Sequence, residues 1–278
     1  MNVFQCGRFR FALEGEQYRP LVMGILNVTP DSFSDGGRYF SLSSALEHAE
    51  DMIADGVDII DIGAESSRPG SEPVSLPEEL DRVMPVVEAL KDCGKPLSID
   101  TYKPEVMAEA IAAGADMIND ICGFQSEASI KAVSGSSCGL CVMHMQGEPK
   151  TMQENPHYEN VTLEVTDFLD KQVKRMEEAG IEKERICIDP GFGFGKTLED
   201  NIILLKHLDF MQEKLHLPVL AGLSRKSVVA RLTGKPVEKR LAGNLAIALS
   251  AVEHGAAIVR VHEVAETVDA LKVWLATR

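Results

Sequence analysis

Polar residues able to do chemistry fall at the ends of short apolar runs along this chain. Asn27 opens the segment Asn27-Val28-Thr29-Pro30-Asp31-Ser32-Phe33-Ser34-Asp35-Gly36-Gly37, which is too polar and glycine-rich to pack as core and reads as a long loop. Its amide oxygen suits a hard cation, with Asp31, Asp35 and water completing the shell that Mg2+ prefers; an Asx turn accounts for the same residues equally well. Asp100, Asn119 and Asp189 close three further runs. Two carboxylates and an amide form an acceptor-rich set, fitted to a flat heterocycle with adjacent N–H and NH2 groups. Each alone also reads as a helix N-cap, Asp100 above all, because Thr101 and Lys103-Pro104 follow it.

Basic residues stand at other strand ends. Arg68 lies in Glu65-Ser66-Ser67-Arg68-Pro69-Gly70, where Ser67 and a Pro-Gly turn describe either a grip on an oxyanion or a solvated turn. Lys226 and Ser227 close Ser224-Arg225-Lys226-Ser227 at a helix start, where N–H groups favour carboxylate or phosphate. Alternation sets Arg260 and His262 on one face of Arg260-Val261-His262. Met143 and Met145, around His144, offer padding for an aromatic ligand, although core packing explains methionine more often. Asp189-Pro190-Gly191-Phe192-Gly193-Phe194-Gly195-Lys196 lacks P-loop spacing; its alternating glycines admit close backbone approach, and Phe192 or Phe194 supplies a ring to stack. These residues together describe a deep pocket. One side accepts hydrogen bonds from a flat ring; the other holds an anion, read as a diphosphate with Mg2+.

The elements that must position them repeat. Asp55-Gly56 to Asp61, Ala113-Gly114 to Asn119 and His254-Gly255 to Arg260 each read as a helix end, a glycine cap and an apolar strand. Eight such strands end near Asn27, Asp61, Asp100, Asn119, His144, Asp189, Gly222 and His262, spaced by roughly 34 residues, the size of a βα unit. Leu42, Leu46, Ala49 and Ile53 keep helical spacing, as do Ala242 to Val252 and Ala265 to Ala276. Ser44 with Glu47, Ser75 with Glu78 and Thr197 with Asp200 read as capping boxes. The expected fold is α/β, a (β/α)8 TIM barrel; an open doubly wound sheet would spread the polar strand ends along an edge, whereas a barrel converges them on one mouth. Residues before about Pro20 lie outside the repeat and are expected to form a short hairpin-like extension closing the barrel floor. No linker divides the rest, so residues 1–278 are expected to be a single domain.

Composition narrows the partners. With 45% hydrophobic and 26% charged residues in 278, the chain is not largely disordered. A net charge of −15 argues against a nucleic-acid partner, without forbidding a local basic pocket. No apolar run approaches the ~18 residues of a membrane span, and Met1 to Arg10 holds no apolar signal core; no membrane partner and a cytoplasmic location are expected. Cys138 and Cys141 have metal-like spacing but no second pair, so they read as small buried thiols in a strand.

In order along the chain, Asn27 to Gly37, Glu65 to Gly70, Ile99-Asp100-Thr101, Ile118-Asn119-Asp120, Met143 to Gly147, Asp189 to Lys196, Ser224 to Ser227 and Arg260 to His262 resemble dihydropteroate synthase of the bacterial folate pathway. The resemblance runs from Leu21 to about Trp274. It implies a homodimeric barrel joining 6-hydroxymethyl-7,8-dihydropterin diphosphate to 4-aminobenzoate, with 7,8-dihydropteroate and diphosphate as products. It places the pterin on Asp100, Asn119, Asp189 and Lys226, Mg2+ on Asn27, the diphosphate on Arg260 and His262, and the 4-aminobenzoate, for which sulfonamides compete, near Ser67, Arg68 and Ser227. Catalytic parts are expected of Asn27, Asp35, Arg68 and Lys226, with Met143 and Phe194 against the substrate. Two positions depart from the pattern. Ser67 stands where Thr is common, and Asn244 where a smaller Thr or Ser is usual. Two rivals share the pterin-type barrel. A methyltetrahydrofolate-binding methyltransferase would need neither the first loop nor a diphosphate site, and a non-catalytic pterin-binding protein could lose Asn27 or Arg68. A phosphosugar isomerase or aldolase barrel would leave the acceptor set unexplained.

Overall fold

The computed structural model describes residues 3–15, 18–28, 37–65, 72–147 and 151–277, with the backbone alone for 37–41. Eight parallel strands close into a barrel in chain order: β3 (Leu21–Asn27), β4 (Ile59–Gly63), β5 (Leu97–Asp100), β6 (Met117–Asp120), β7 (Gly139–Met143), β8 (Ile186–Asp189), β9 (Val219–Ala221) and β10 (Ala256–Val261), with β10 pairing back onto β3. An antiparallel hairpin, β1 (Val3–Cys6) and β2 (Phe9–Ala12), precedes them. The helices are α1 (Gly37–Ala54), α2 (Leu76–Leu90), α3 (Pro104–Ala113), α4 (Glu127–Ser134), α5 (Val161–Glu178), α6 (Leu198–Leu205), α7 (Leu208–Leu215), α8 (Ser227–Thr233), α9 (Leu241–Glu253) and α10 (Val264–Ala276). This is the expected TIM barrel.

The strands are apolar throughout because both faces are covered. Alternate residues such as Ile60, Ile62, Ile118, Leu140, Val142, Ile186, Ile188, Val219 and Val259 pack outward with the helices. The residues between them, Met23, Ile59, Met117, Cys141, Cys187, Leu220 and Ile258, form a separate inner layer. Phe4 and Cys6 of β1 are fully buried in that same layer, so the hairpin plugs the floor as expected. An ion pair holds the plug, Arg8 Nε to Asp116 Oδ1 at 2.9 Å, and Arg19, just before β3, pairs with the buried Asp58. The glycines of the repeat, Gly56, Gly114 and Gly255, all have positive φ, and Gly114 caps α3 with its N–H on Ala110 and Ile111 oxygens.

Two expected caps need correction. α1 begins at Gly37, so Ser44 lies inside the helix, where no free N–H remains for it to cap. Ser75 is the N-cap of α2 but makes no side-chain cap bond, and Glu78 pairs with Arg82 instead. Thr197 and Asp200 do form a complete capping box on α6. Cys138 and Cys141 are free thiols in separate clusters, Cys138 under the helices and Cys141 in the barrel interior. Among the described residues no helix is long and apolar enough to cross a membrane.

Candidate active site

The period-2 alternation that builds the inner apolar layer also builds the mouth. Two residues beyond Ile59, Met117, Cys141, Cys187, Leu220 and Ile258 stand Asp61, Asn119, Met143, Asp189, Gly222 and Arg260. On β5, Ser98 is followed in the same way by Asp100; on β3, Met23 is followed by Ile25 and then Asn27. The barrel is thus apolar below and polar above, and the change occurs within one strand pleat.

Asp61 centres the acceptor side. It is fully buried and takes hydrogen bonds from Ser98 Oγ (2.6 Å), Arg260 Nε (2.6 Å) and Asn119 Nδ2 (3.4 Å). Arg260 also donates Nη2 to Asp100 Oδ2 at 2.8 Å. Burial pushes the Asp100 carboxyl up to about 7; Arg260 opposes the rise, and Asp61 and Glu79 add to it. Burial also acts against the Arg260 guanidinium, but Asp61 and Asp100 outweigh it and hold its pKa above the ordinary value. By binding Nδ2, Asp61 fixes the amide of Asn119 and leaves its carbonyl as the acceptor for a ligand.

Lys226 faces these acids from the β9–α8 connection. Its Nζ lies 4.6 Å from the centroid of the Phe194 ring and donates to Phe192 O at 2.5 Å. A Cβ on Gly222 would stand 3.7 Å from Lys226 Nζ and 3.8 Å from Asp189 Oδ2, so glycine keeps the gap between amine and carboxylate open. Burial lowers Lys226 to about 8 although Asp189 favours its charge; burial likewise raises Asp189. Phe194 groups with Ile121, Met143, Met145 and Met152 as an apolar wall. Phe192, the alternative stacking ring, is fully buried in the outer core and is not part of that wall.

A buried clasp that sequence reasoning missed holds the wall. Lys196 donates Nζ to the carbonyls of Gly191 (3.0 Å), Phe194 (3.0 Å) and His144 (3.3 Å), and meets His144 Nδ1 at 2.9 Å. Burial pulls Lys196 down to about 7. Burial first, then the Lys196 charge, pulls His144 down to about 3, so His144 is a neutral structural imidazole. At Gly191 φ is +69° and a Cβ would stand 1.8 Å from His144 O; only glycine fits there.

Ser227 is the exposed first residue of α8, and His262 follows the end of β10 with Nδ1 3.0 Å from Ser224 Oγ. A polar cavity of about 300 Å³ lies beside His262, lined by His48, Asp51, Asp55, Glu263 and Glu266; its acidic lining does not suit an anion. Asp31, Asp35, Ser67 and Arg68 lie outside the described residues. At Asn27 a fit to Mg2+ can be tested. A Cβ on Gly63 would lie 3.8 Å from Asn27 Oδ1 and 3.7 Å from Asp100 Oδ2, so two hard oxygens flank a gap. Among the described residues no three His, Cys, Asp or Glu side chains cluster as metal ligands. Hard oxygens such as these two suit Mg2+, which completes its shell with water and phosphate oxygens. Sequence reasoning also missed the joint just past the mouth ends of β4 and β5, where Lys103 binds Glu65 and Glu79, and Thr101 donates to Glu79. A buried partner inside a strand, such as Asp61, does have a signal: it is the inner-face residue two beyond Ile59.

Comparisons with known proteins agree on one family. The family model of pterin binding enzymes matches residues 23–262. A dihydropteroate synthase of Haemophilus influenzae is 51% identical over 262 residues, covering 93% of this chain and 94% of that protein. The crystal structure of Burkholderia cenocepacia dihydropteroate synthase complexed with 7,8-dihydropteroate superposes with a TM-score of 0.90 at 53% identity, covering 99% of this chain and 96% of that one. The Xanthomonas albilineans enzyme with 4-aminobenzoic acid gives a TM-score of 0.91 at 47% identity, over 99% and 98% of the two chains.

Proposed function

Since the chain belongs to the dihydropteroate synthases of the pterin-binding enzyme family, and is thus a transferase, we propose that it joins 6-hydroxymethyl-7,8-dihydropterin diphosphate to 4-aminobenzoate. The observation that carries this reading is the polar layer itself: Asp100, Asn119 and Asp189 stand at the mouth ends of β5, β6 and β8 above a sealed apolar floor, with Lys226 across from Asp189. The acceptors take the N–H and NH2 edge of the pterin. Met143 and Phe194 pad its face, and Lys226 binds its polar rim.

The bond that breaks joins the methylene carbon of the pterin to the diphosphate oxygen; the bond that forms joins that carbon to the aniline nitrogen. Asp100 and Asp189 favour the positive charge that spreads into the dihydropterin ring as diphosphate departs. Arg260, held by Asp61 and Asp100, and His262 face the departing anion. Asn27 would hold Mg2+, and the bound ion would neutralise diphosphate charge; the catalytic part given to Asp35 rests on the resemblance. The resemblance assigns Ser67, Arg68 and Ser227 to the 4-aminobenzoate, and Ser227, at the start of α8, would receive its carboxylate. The aniline nitrogen needs no strong base, because it loses its proton only after attack, to the departing diphosphate.

We propose further that residues 1–278 act as one domain in the cytoplasm and pair as a homodimer. Leu232 on α8, Val237 in the turn after it and Leu241 at the start of α9, all exposed, support the pairing, and light scattering on the purified chain tests it. The reaction is tested by diphosphate release. Release with Mg2+ that depends on 4-aminobenzoate, with dihydropteroate formed in equal amount, is the expected result. Tight pterin binding without release would favour the non-catalytic or methyltransferase reading.

A further inference from the structure

The carbonyls of residues 191–195, in the β8–α6 connection, each accept a hydrogen bond from a side chain. Lys196 Nζ donates to Gly191 O and to Phe194 O, both at 3.0 Å, and Lys226 Nζ donates to Phe192 O at 2.5 Å. Gln153 Nε2 donates to Gly193 O, and the Tyr158 hydroxyl donates to Gly195 O at 2.8 Å. A carbonyl can only accept, so the direction of every one of these bonds is fixed. The connection needs such donors. Positive φ at Gly191, Gly193 and Gly195 alternates with ordinary backbone, which makes neither helix nor strand and so no regular backbone pairing.

Two of the donors, Gln153 and Tyr158, come from the β7–α5 connection and stand outside the apolar wall that holds Phe194. Gln153 holds the peptide that enters Phe194, Lys196 the peptide that leaves it, and Tyr158 the next one. Glycine on both sides would otherwise leave Phe194 free to swing. Tyr158 is itself fixed. Its ring centroid lies 6.1 Å from that of His144, and the Gln146 side-chain amide pairs with the backbone N–H and C=O of His157, the preceding residue. Burial raises Tyr158 above the ordinary phenol range, with Asp200 and Glu164 adding to it, so its hydroxyl stays a donor. We propose that Tyr158 and Gln153 are positioning residues that, with Lys196, fix the Phe194 ring and so shape the slot for the pterin and the ring face on which Lys226 rests. They act through the carbonyls of Gly195 and Gly193. A ring left unheld would have to be ordered as the pterin binds, and that cost would appear as lost affinity. The inference rests on the reading of Phe194 as one face of the pterin slot.

Two measurements on the full chain test it. The first needs no ligand. The aromatic 13C–1H signals of Phe194, assigned by their loss in Phe194→Leu, report the surroundings of its ring. Tyr158→Phe keeps the ring against His144 and removes only the hydroxyl; it and Gln153→Ala should each shift or broaden those signals. The second is calorimetry with two probes, the pterin alcohol without phosphates and inorganic diphosphate with Mg2+. Each variant should weaken the alcohol about fivefold, the size of one ordinary hydrogen bond, and leave diphosphate within about twofold. In a Phe194→Ala background Tyr158→Phe should weaken the alcohol by less than about twofold, because the group it positions is gone; a merely structural loss would persist there. Unmoved Phe194 signals overturn the inference. So do an unchanged affinity for the alcohol, equal losses for both probes, or the full loss in the Phe194→Ala background. If wild type does not bind the alcohol, the proposed function fails, and the Phe194 signals still decide whether Tyr158 and Gln153 hold the ring.

Discussion

Asp61→Asn isolates the group on which the acceptor side is built. Asp61 is fully buried and holds Arg260, Ser98 and Asn119. Breaking a buried ion pair from one side costs roughly 3–5 kcal/mol. Arg260 keeps Asp100 at 2.8 Å. The new amide oxygen can still accept one bond, so the expected loss is about 2–3 kcal/mol. With a urea slope of roughly 3 kcal/mol per molar, the unfolding midpoint should fall by about 0.7–1 M. The pH dependence adds a second readout. Burial, against Arg260 and with help from Asp61, raises Asp100 from 3.8 to about 7. A raised folded pKa stabilises below the unfolded value, and that contribution is lost as pH rises through the folded one. Removing the Asp61 charge lowers Asp100, so the variant loses less across this window. Its deficit against wild type should therefore shrink between pH 5 and pH 8. An unchanged midpoint, or a deficit that grows with pH, would refute the assignment. A double-mutant cycle with Arg260→Met should show the two sites coupled.

Lys226→Met should lower kcat/KM about 100-fold or more, through loss of a half-buried charge opposite Asp189. In wild type, with Lys226 lowered to about 8 by burial, kcat/KM should fall as pH rises through about 8 and the ammonium is lost; a profile flat to pH 10 counts against the role. Burial depresses His144 from 6.5 to about 3, so its stabilising contribution is present above 6.5 and lost as pH falls toward 3; His144→Gln should flatten that acid limb in urea melts. Gly191→Ala should abolish cooperative unfolding, because its Cβ would stand 1.8 Å from His144 O, whereas Gly193→Ala, with φ +80° but 3.4 Å from Lys226 Cδ, should cost only about 1 kcal/mol by circular dichroism melts.

The barrel was legible because its two signals are local. Glycine caps release each helix into a strand, and apolar runs end in polar residues. The acceptor set followed, since Asp100, Asn119 and Asp189 stand where strand alternation meets the mouth. Asp61 was passed over because its role rests on Ser98, Asn119 and Arg260, which come from three other strands and share no spacing with it in the sequence. Phe192 and Phe194 could not be separated, because neither lies on a strand whose alternation assigns a face. Lys196 gives no warning in sequence: besides His144 Nδ1, its partners are three backbone carbonyls, which any residue carries. Ser44 was misread because α1 starts seven residues earlier, at a glycine that carries no capping oxygen.

The floor plug also orders events in time. Arg8 and Cys6 bind Asp116, more than a hundred residues along the chain. At a synthesis rate of about 5–20 residues per second, the hairpin waits roughly 5–20 s for that partner to be made, and longer for Gly139, which lies against Phe4. A two-stranded hairpin is marginal alone in water, so Phe4, Phe9 and Phe11 spend that interval uncovered. The hairpin, made well before its partners, is therefore among the last segments to reach its native place. Until β7 has formed, the nascent protein carries an aromatic patch of the kind that chaperones bind.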